Sequence, residues 1–292
     1  NLNILSQSDD KINGIKPQDK LWTLFSKASL DELDYTFSSA VAEREGGLIF
    51  HFEAIPYSNQ SIKLAYYYGR KIFLKDTVAI GTSGKASYKG SIHEGIYLFV
   101  FPDSSVYEIM VASEKEYLIK ISQAEQKIRY SIQGDSIAEA YDSYQNKTNV
   151  LLDRIDSLKY GISTAESHEA QLALKQGMKN DLKEIDRIRN DYVHKYQNTL
   201  LGNYLLAQIP ISIPEFVIPE SIAYPDSLKW VMRLDYYQTH YLDNIAWEDP
   251  RLIHTPVLEE KINTYLDKVV GQEPDRLSKA IDLVLNKSTN SD

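Results

Sequence analysis

Between residues 48 and 132 apolar and polar positions alternate in short runs, and the period is that of strands. Residues 48–55 alternate, 61–68 concentrate aromatic and branched side chains, and 95–101, 106–111 and 117–121 repeat the theme. Asn59, Gly69, Ser83-Gly84, Pro102-Asp103 and Ser113-Glu114 fall between them as turn residues. No helix-length segment separates the runs, so residues 48–133 read as an antiparallel β-sandwich or small barrel.

The period changes at Gly134-Asp135-Ser136. Beyond it Ile137, Tyr141, Tyr144, Thr148, Leu151, Ile155, Leu158 and Ile162 recur at spacings of four and three, until Gly161, Ser163 and Thr164 interrupt the stripe. A second stripe runs through Met178, Leu182, Ile185, Ile188, Tyr192 and Tyr196. The short break favours an antiparallel helical hairpin over residues 134–200, with Asp153, Arg154, Lys183, Glu184, Asp186 and Arg187 on its flanks; an intermolecular coiled coil is the alternative. Residues 201–292 combine a Pro-rich extended linker at 209–219 with helices reopening near Asp226, Pro256 and Pro274. The N-terminal extension, 1–47, carries a short apolar patch, and Ser29 with Glu32 forms a capping box for a helix from Leu30. The whole reads as an α+β chain: a β region first, an all-helical region after it.

Composition narrows the function classes. Hydrophobic residues at 43% and charged residues at 25% predict a true core. A net charge of −9 with no basic run argues against a nucleic-acid surface. With no cysteine, disulfides, thiolate nucleophiles and Cys-ligated zinc are excluded. His51, His93, His168, His194 and His254 show no zinc spacing, and no phosphate-binding loop or nucleophile elbow occurs, so no cofactor, metal or catalytic set is expected. No apolar run approaches the ~20 residues that span a bilayer.

The 21 tyrosines are the unusual feature. Tyr66, Tyr68 and Tyr97 would form a platform for a peptide strand or a sugar ring if they shared an open sheet face; the plainer reading divides them between core and ordinary sheet surface. Alternation puts Tyr66 and Tyr68 on one face and Tyr67 on the other. His240 stands three residues before Asp243, a spacing that serves a general base or, more commonly, a surface contact. In Asp249-Pro250-Arg251 the proline fixes a turn, the aspartate bonds backbone donors, and Arg251 clamps loop carbonyls or Asp243; an anion clamp facing solvent, with His240 beside it, is the rival.

Residues 235–285 also resemble the helical region that precedes a thioredoxin-like domain in a group of large Gram-negative envelope proteins. The best-matching parts are Tyr241-Leu242-Asp243-Asn244-Ile245, Asp249-Pro250-Arg251-Leu252 and Thr255-Pro256-Val257-Leu258, with Trp247 between them. The run 62–67, Lys75-Asp76-Thr77, Gly84 and Gly95-Ile96-Tyr97-Leu98 similarly resemble a small β domain at the N-terminus of the same proteins. The resemblance implies a non-catalytic accessory region that positions a redox domain or its client, with a downstream thioredoxin-like domain, a client protein or a second copy as partner. It also implies export to the periplasm or outer membrane, and Asn1 in place of an initiator Met fits removal of a signal peptide. The peptide- or glycan-binding tyrosine face is the alternative function. On the residues, Tyr241, Asp243, Trp247, Asp249, Pro250, Arg251 and Pro256 make a structural motif rather than a catalytic one.

Overall fold

The computed structural model describes residues 47–124, 127–219, 222 and 224–289. The helix expected from Leu30, and the 1–46 part of the extension, lie outside these. Eight strands come first: β1 Leu48–Ala54, β2 Ser61–Tyr68, β3 Lys71–Ala79, β4 Lys85–Gly90, β5 Gly95–Val100, β6 Val106–Val111, β7 Glu116–Ala124 and β8 Lys127–Gln133. Helices α1 Ser136–Thr164, α2 His168–Lys195, α3 Leu200–Ala207, α4 Pro225–His240, α5 Val257–Thr264 and α6 Pro274–Thr289 follow, with a 3-10 turn at Pro250–His254 and a π turn at Tyr265–Val269. The α+β class and the β-then-helix order stand.

The strands form two four-stranded sheets, β4-β1-β7-β8 and β3-β2-β5-β6, rather than a closed barrel. Their inner faces meet in an aromatic core, where Phe99 takes the edges of Phe50 and Phe52 at ring distances of 5.3 and 5.1 Å. One expectation needs correction: β1 pairs parallel with β7, Phe50 opposite Tyr117, so the region is not purely antiparallel. Strands β3 and β8 carry more polar side chains than the five legible runs, because much of their length faces solvent.

The β3-β2-β5-β6 sheet is covered on both faces. Ile62, Leu64, Tyr97 and Phe99 point into the sandwich, whereas Ala65, Tyr67, Ile96, Leu98 and Met110 join the helices in a second core. That explains the unbroken burial of β5, since a strand buried on both faces loses its alternation. Asp135 sets the junction. Its Oδ1 accepts from Ile137 N at 2.6 Å and caps α1, while Oδ2 accepts from Ser113 N at 3.0 Å and the Tyr117 hydroxyl at 3.1 Å.

Helices α1 and α2 form the expected antiparallel hairpin. Tyr144, Thr148 and Ile155 from one and Ile185 and Ile188 from the other are buried, with Tyr144 against Tyr192; Tyr141, also buried, turns instead toward β6 and Tyr204. Gly161 does not break α1, which runs on to Thr164: Gly161 lies against Leu174 and Gly177 against Leu158, so the glycines admit leucines from the opposing helix. Residues 209–219 take no regular form; Asn244 Nδ2 donates to Ile209 O at 3.0 Å and Phe216 meets the Tyr236 ring, so the linker does lie along the helical layer.

Candidate functional site

The motif segment sits where the sandwich meets the helices. Pro250 begins the 3-10 turn, and Asp249 caps it by accepting from Arg251 N at 3.1 Å. The Arg251 side chain then folds back on the same carboxylate, Nε donating to Oδ1 at 2.6 Å and Nη2 to Oδ2 at 2.8 Å. Its remaining terminal nitrogen, Nη1, donates to Glu94 Oε2 at 2.9 Å. Asn203 Nδ2, from α3, adds 2.8 Å to Asp249 Oδ2. Burial works to raise the Asp249 carboxyl, but Arg251 and Asn203 outweigh it and hold the group below its ordinary value. Arg251 is therefore bonded by two carboxylates, neither of them Asp243, which has little in common with an anion clamp open to solvent.

Backbone contacts close the same junction. Gly69 N donates to Ile253 O at 2.7 Å, and Arg70 N to Glu259 Oε2 at 2.8 Å. Gly95 permits a close approach, because a Cβ there would come within 2.5 Å of the His254 Cβ. His254 is buried and stacked on His93, ring centroids 4.7 Å apart and planes 6° from parallel, with Tyr68 edge-on at 5.8 Å. Burial and the neighbouring His93 push the His254 imidazole down to about 4. Beside the clamp lies an open pocket of about 400 Å³ lined by Asn198, Asn203, Glu248, Asp249, Pro250 and Arg251.

The tyrosines named from sequence separate. Tyr66 and Tyr97 are cross-strand partners with rings 6.1 Å apart on the interior side of the sheet, and Tyr97 is only 2% exposed. The Tyr97 hydroxyl accepts from His93 N at 3.0 Å. Tyr68 lies at the strand end against His254, so of the set it alone reaches the Arg251 turn. His240 belongs to a different contact set: its Nδ1 is 2.6 Å from Asp243 Oδ2, its ring lies 4.2 Å from Tyr236, and Lys287 Nζ reaches Asp243 Oδ1 at 3.3 Å. Tyr241 is buried against Tyr265 with Lys261 Nζ 4.8 Å from its ring, Leu252 is buried, and Trp247 and Leu258 pack partly buried on the same core. Pro256 caps α5.

A second feature was not singled out from sequence. Helix α4 buries none of its residues, and Leu228, Trp230, Val231 and Met232 are exposed along its first half; Ile222 and Tyr224, ahead of it in the chain, are exposed too. Trp230 is 45% exposed. The signal was present in the run Leu228-Lys229-Trp230-Val231-Met232, which is too apolar for a solvated helix.

Among the described residues, no group of three or more His, Asp or Glu is arranged to hold a metal ion, and no helix is long and apolar enough to cross a membrane. No protein-family model matches this chain, and no curated protein matches it.

Proposed function

We propose that this chain is a non-catalytic positioning module of an envelope thioredoxin-like protein, and that the apolar face of α4 receives the thioredoxin-like domain. The carrying observation is that α4, sixteen residues long, leaves four large apolar side chains in water while burying none. A face of that kind gains from a protein partner with an apolar surface. Its charges balance, Asp226 and Asp235 against Lys229 and Arg233, so nothing on the helix favours an anionic bilayer, and the chain's net charge of −9 opposes one. The Arg251 clamp supports the same reading. It fixes the sandwich on the helices, which is what a module needs in order to hold a second domain in one orientation. The thiol–disulfide context and the envelope location rest on the resemblance of residues 235–285.

The test begins with the encoding reading frame, which is expected to continue past Asp292 into a Cys-x-x-Cys domain. The complete protein and a W230D/V231D variant are then compared by small-angle scattering. The intact protein should scatter as one compact body and the variant as two linked bodies. A reading frame with no such domain, or identical scattering from both proteins, overturns the proposal.

A further inference from the structure

Helix α1 runs along the edge of the sandwich, touching both β6 and β8. At that edge consecutive residues of the strand and of the helix exchange hydrogen bonds in opposite senses. Tyr107 of β6 donates its hydroxyl to Asp142 Oδ1 of α1 at 2.8 Å. Tyr141 of α1 donates its hydroxyl to Glu108 Oε1 of β6, and Gln145 Nε2 adds a bond of 3.2 Å to the same oxygen. Glu108 stands between Val106 and Met110 on the helix-facing side of the strand, a carboxylate set among apolar groups.

We propose that this reciprocal tyrosine–carboxyl pair is a proton-operated latch, in which Glu108 carries the proton when α1 is closed on β6 and its ionisation loosens the first turns of the helix. The inference goes beyond the positioning role, since it concerns what controls the geometry that the module holds.

The surroundings oppose charge on Glu108. Tyr141 approaches from α1, Tyr67 from β2 and Tyr204 from α3, and burial also keeps the Tyr67, Tyr141 and Tyr204 hydroxyls in their protonated form. Charged groups of the neighbouring helices stand close by: Arg189 of α2 beside Tyr144, and Glu260 of α5 near Tyr67 and Tyr204. Arg189 of α2 bonds Asp186 at 2.8 Å, and Lys261 of α5, next to Glu260, rests on the Tyr241 ring. Burial accordingly pushes the Glu108 carboxyl up from 4.5 to about 7, against the smaller lowering effect of the Tyr141 bond. Asp142 is raised by burial too.

The sign follows from linkage. The closed form keeps its proton up to about 7, whereas an opened, solvated Glu108 releases it near 4.5. Closure is thus most favourable below 4.5, weakens across the interval to 7, and levels off above it. Within that window the opening equilibrium rises by up to about tenfold per pH unit.

Carbon-13 NMR of the intact chain, labelled at glutamate carboxyls, tests this directly. One glutamate should titrate with a midpoint near 7, and that resonance should be missing in Glu108→Gln. Tyr141→Phe should move the midpoint upward, because it removes a bond that favours the charged form. Hydrogen exchange of the amides of 137–151, corrected for intrinsic rate, should show opening that increases from pH 4.5 to 7 and a shallower rise in Glu108→Gln. If every glutamate titrates near its ordinary value, the latch does not exist; that result needs only the unsubstituted chain. Identical exchange profiles with and without Glu108 overturn it equally.

Discussion

Arg251 and Glu94, 157 residues apart, are joined by one 2.9 Å hydrogen bond that ties the sandwich to the helical region. Arg251 spends its other bonds on Asp249, whose carboxylate is almost wholly enclosed. Removing the guanidinium would leave that carboxylate buried without its cation, and this loss exceeds the worth of the contact itself. Arg251→Ala should lower stability by about 2–4 kcal/mol, the lower end reflecting the one-third exposure of the arginine. Urea unfolding measures this. An unchanged midpoint, with phosphate- or sulfate-induced stabilisation present in the unsubstituted chain and erased in the variant, would return Arg251 to the role of an anion clamp.

The hairpin seam gives a second prediction. Ile155 is buried between α1 and α2, and Leu151, one turn earlier, is half-buried against the core that joins the helices to the sandwich. An aspartate at 155 would place a charge in an apolar seam, so Ile155→Asp should cost about 3–5 kcal/mol, and Leu151→Asp less because water reaches it. Thermal melting of both variants decides, and an Ile155→Asp protein melting like its parent would show that the seam is not packed.

What the sequence disclosed follows from which signals are local. Periodicity announced β1, β2, β5, β6, β7 and both hairpin helices, and the Asp249-Pro250-Arg251 turn was legible because its bonds lie within three residues. Strand order was not legible: alternation assigns faces but not neighbours, so the parallel β1–β7 pair left no trace. Glu94 could not be named as the partner of Arg251 for the same reason. Glu108 was readable in retrospect as a lone charge in Val-Tyr-Glu-Ile-Met-Val, a strand otherwise fit for burial on both faces. Asp181 was hidden differently. On the pattern it is one more polar flank residue of α2, yet it is buried and held by both Arg154 Nε, at 2.6 Å, and Nη2.

Thiol chemistry provides a simple check on the positioning role. Attack on a disulfide requires a thiolate, and the chain contains no cysteine. Insulin reduction by this chain with dithiothreitol should equal the buffer blank; turbidity developing faster than the blank would require a mechanism that none of its residues supplies.

The stacked imidazoles at the junction make the most demanding prediction. His254 is folded against Gly95, His93 and Tyr68, with the Arg251 clamp to Asp249 and Glu94 in the same turn. Its imidazole is held neutral down to about 4, from an ordinary 6.5. The unfolded chain therefore takes up this proton first as pH falls, and the stability due to a neutral His254 is complete above 6.5 and is lost progressively toward 4. The full loss is about 3 kcal/mol at the order-of-magnitude level, since each pKa unit corresponds to about 1.4 kcal/mol. Glu108 acts in the opposite sense between 4.5 and 7, so the two groups partly cancel in the unsubstituted chain. Urea unfolding at pH 4.5, 5.5, 6.5 and 7.5 in a Glu108→Gln background should expose the histidine limb as a steady loss on acidification. Adding His254→Phe, which keeps a ring against His93, should flatten that limb. An unaltered acid slope in the double variant would show that another group carries the proton.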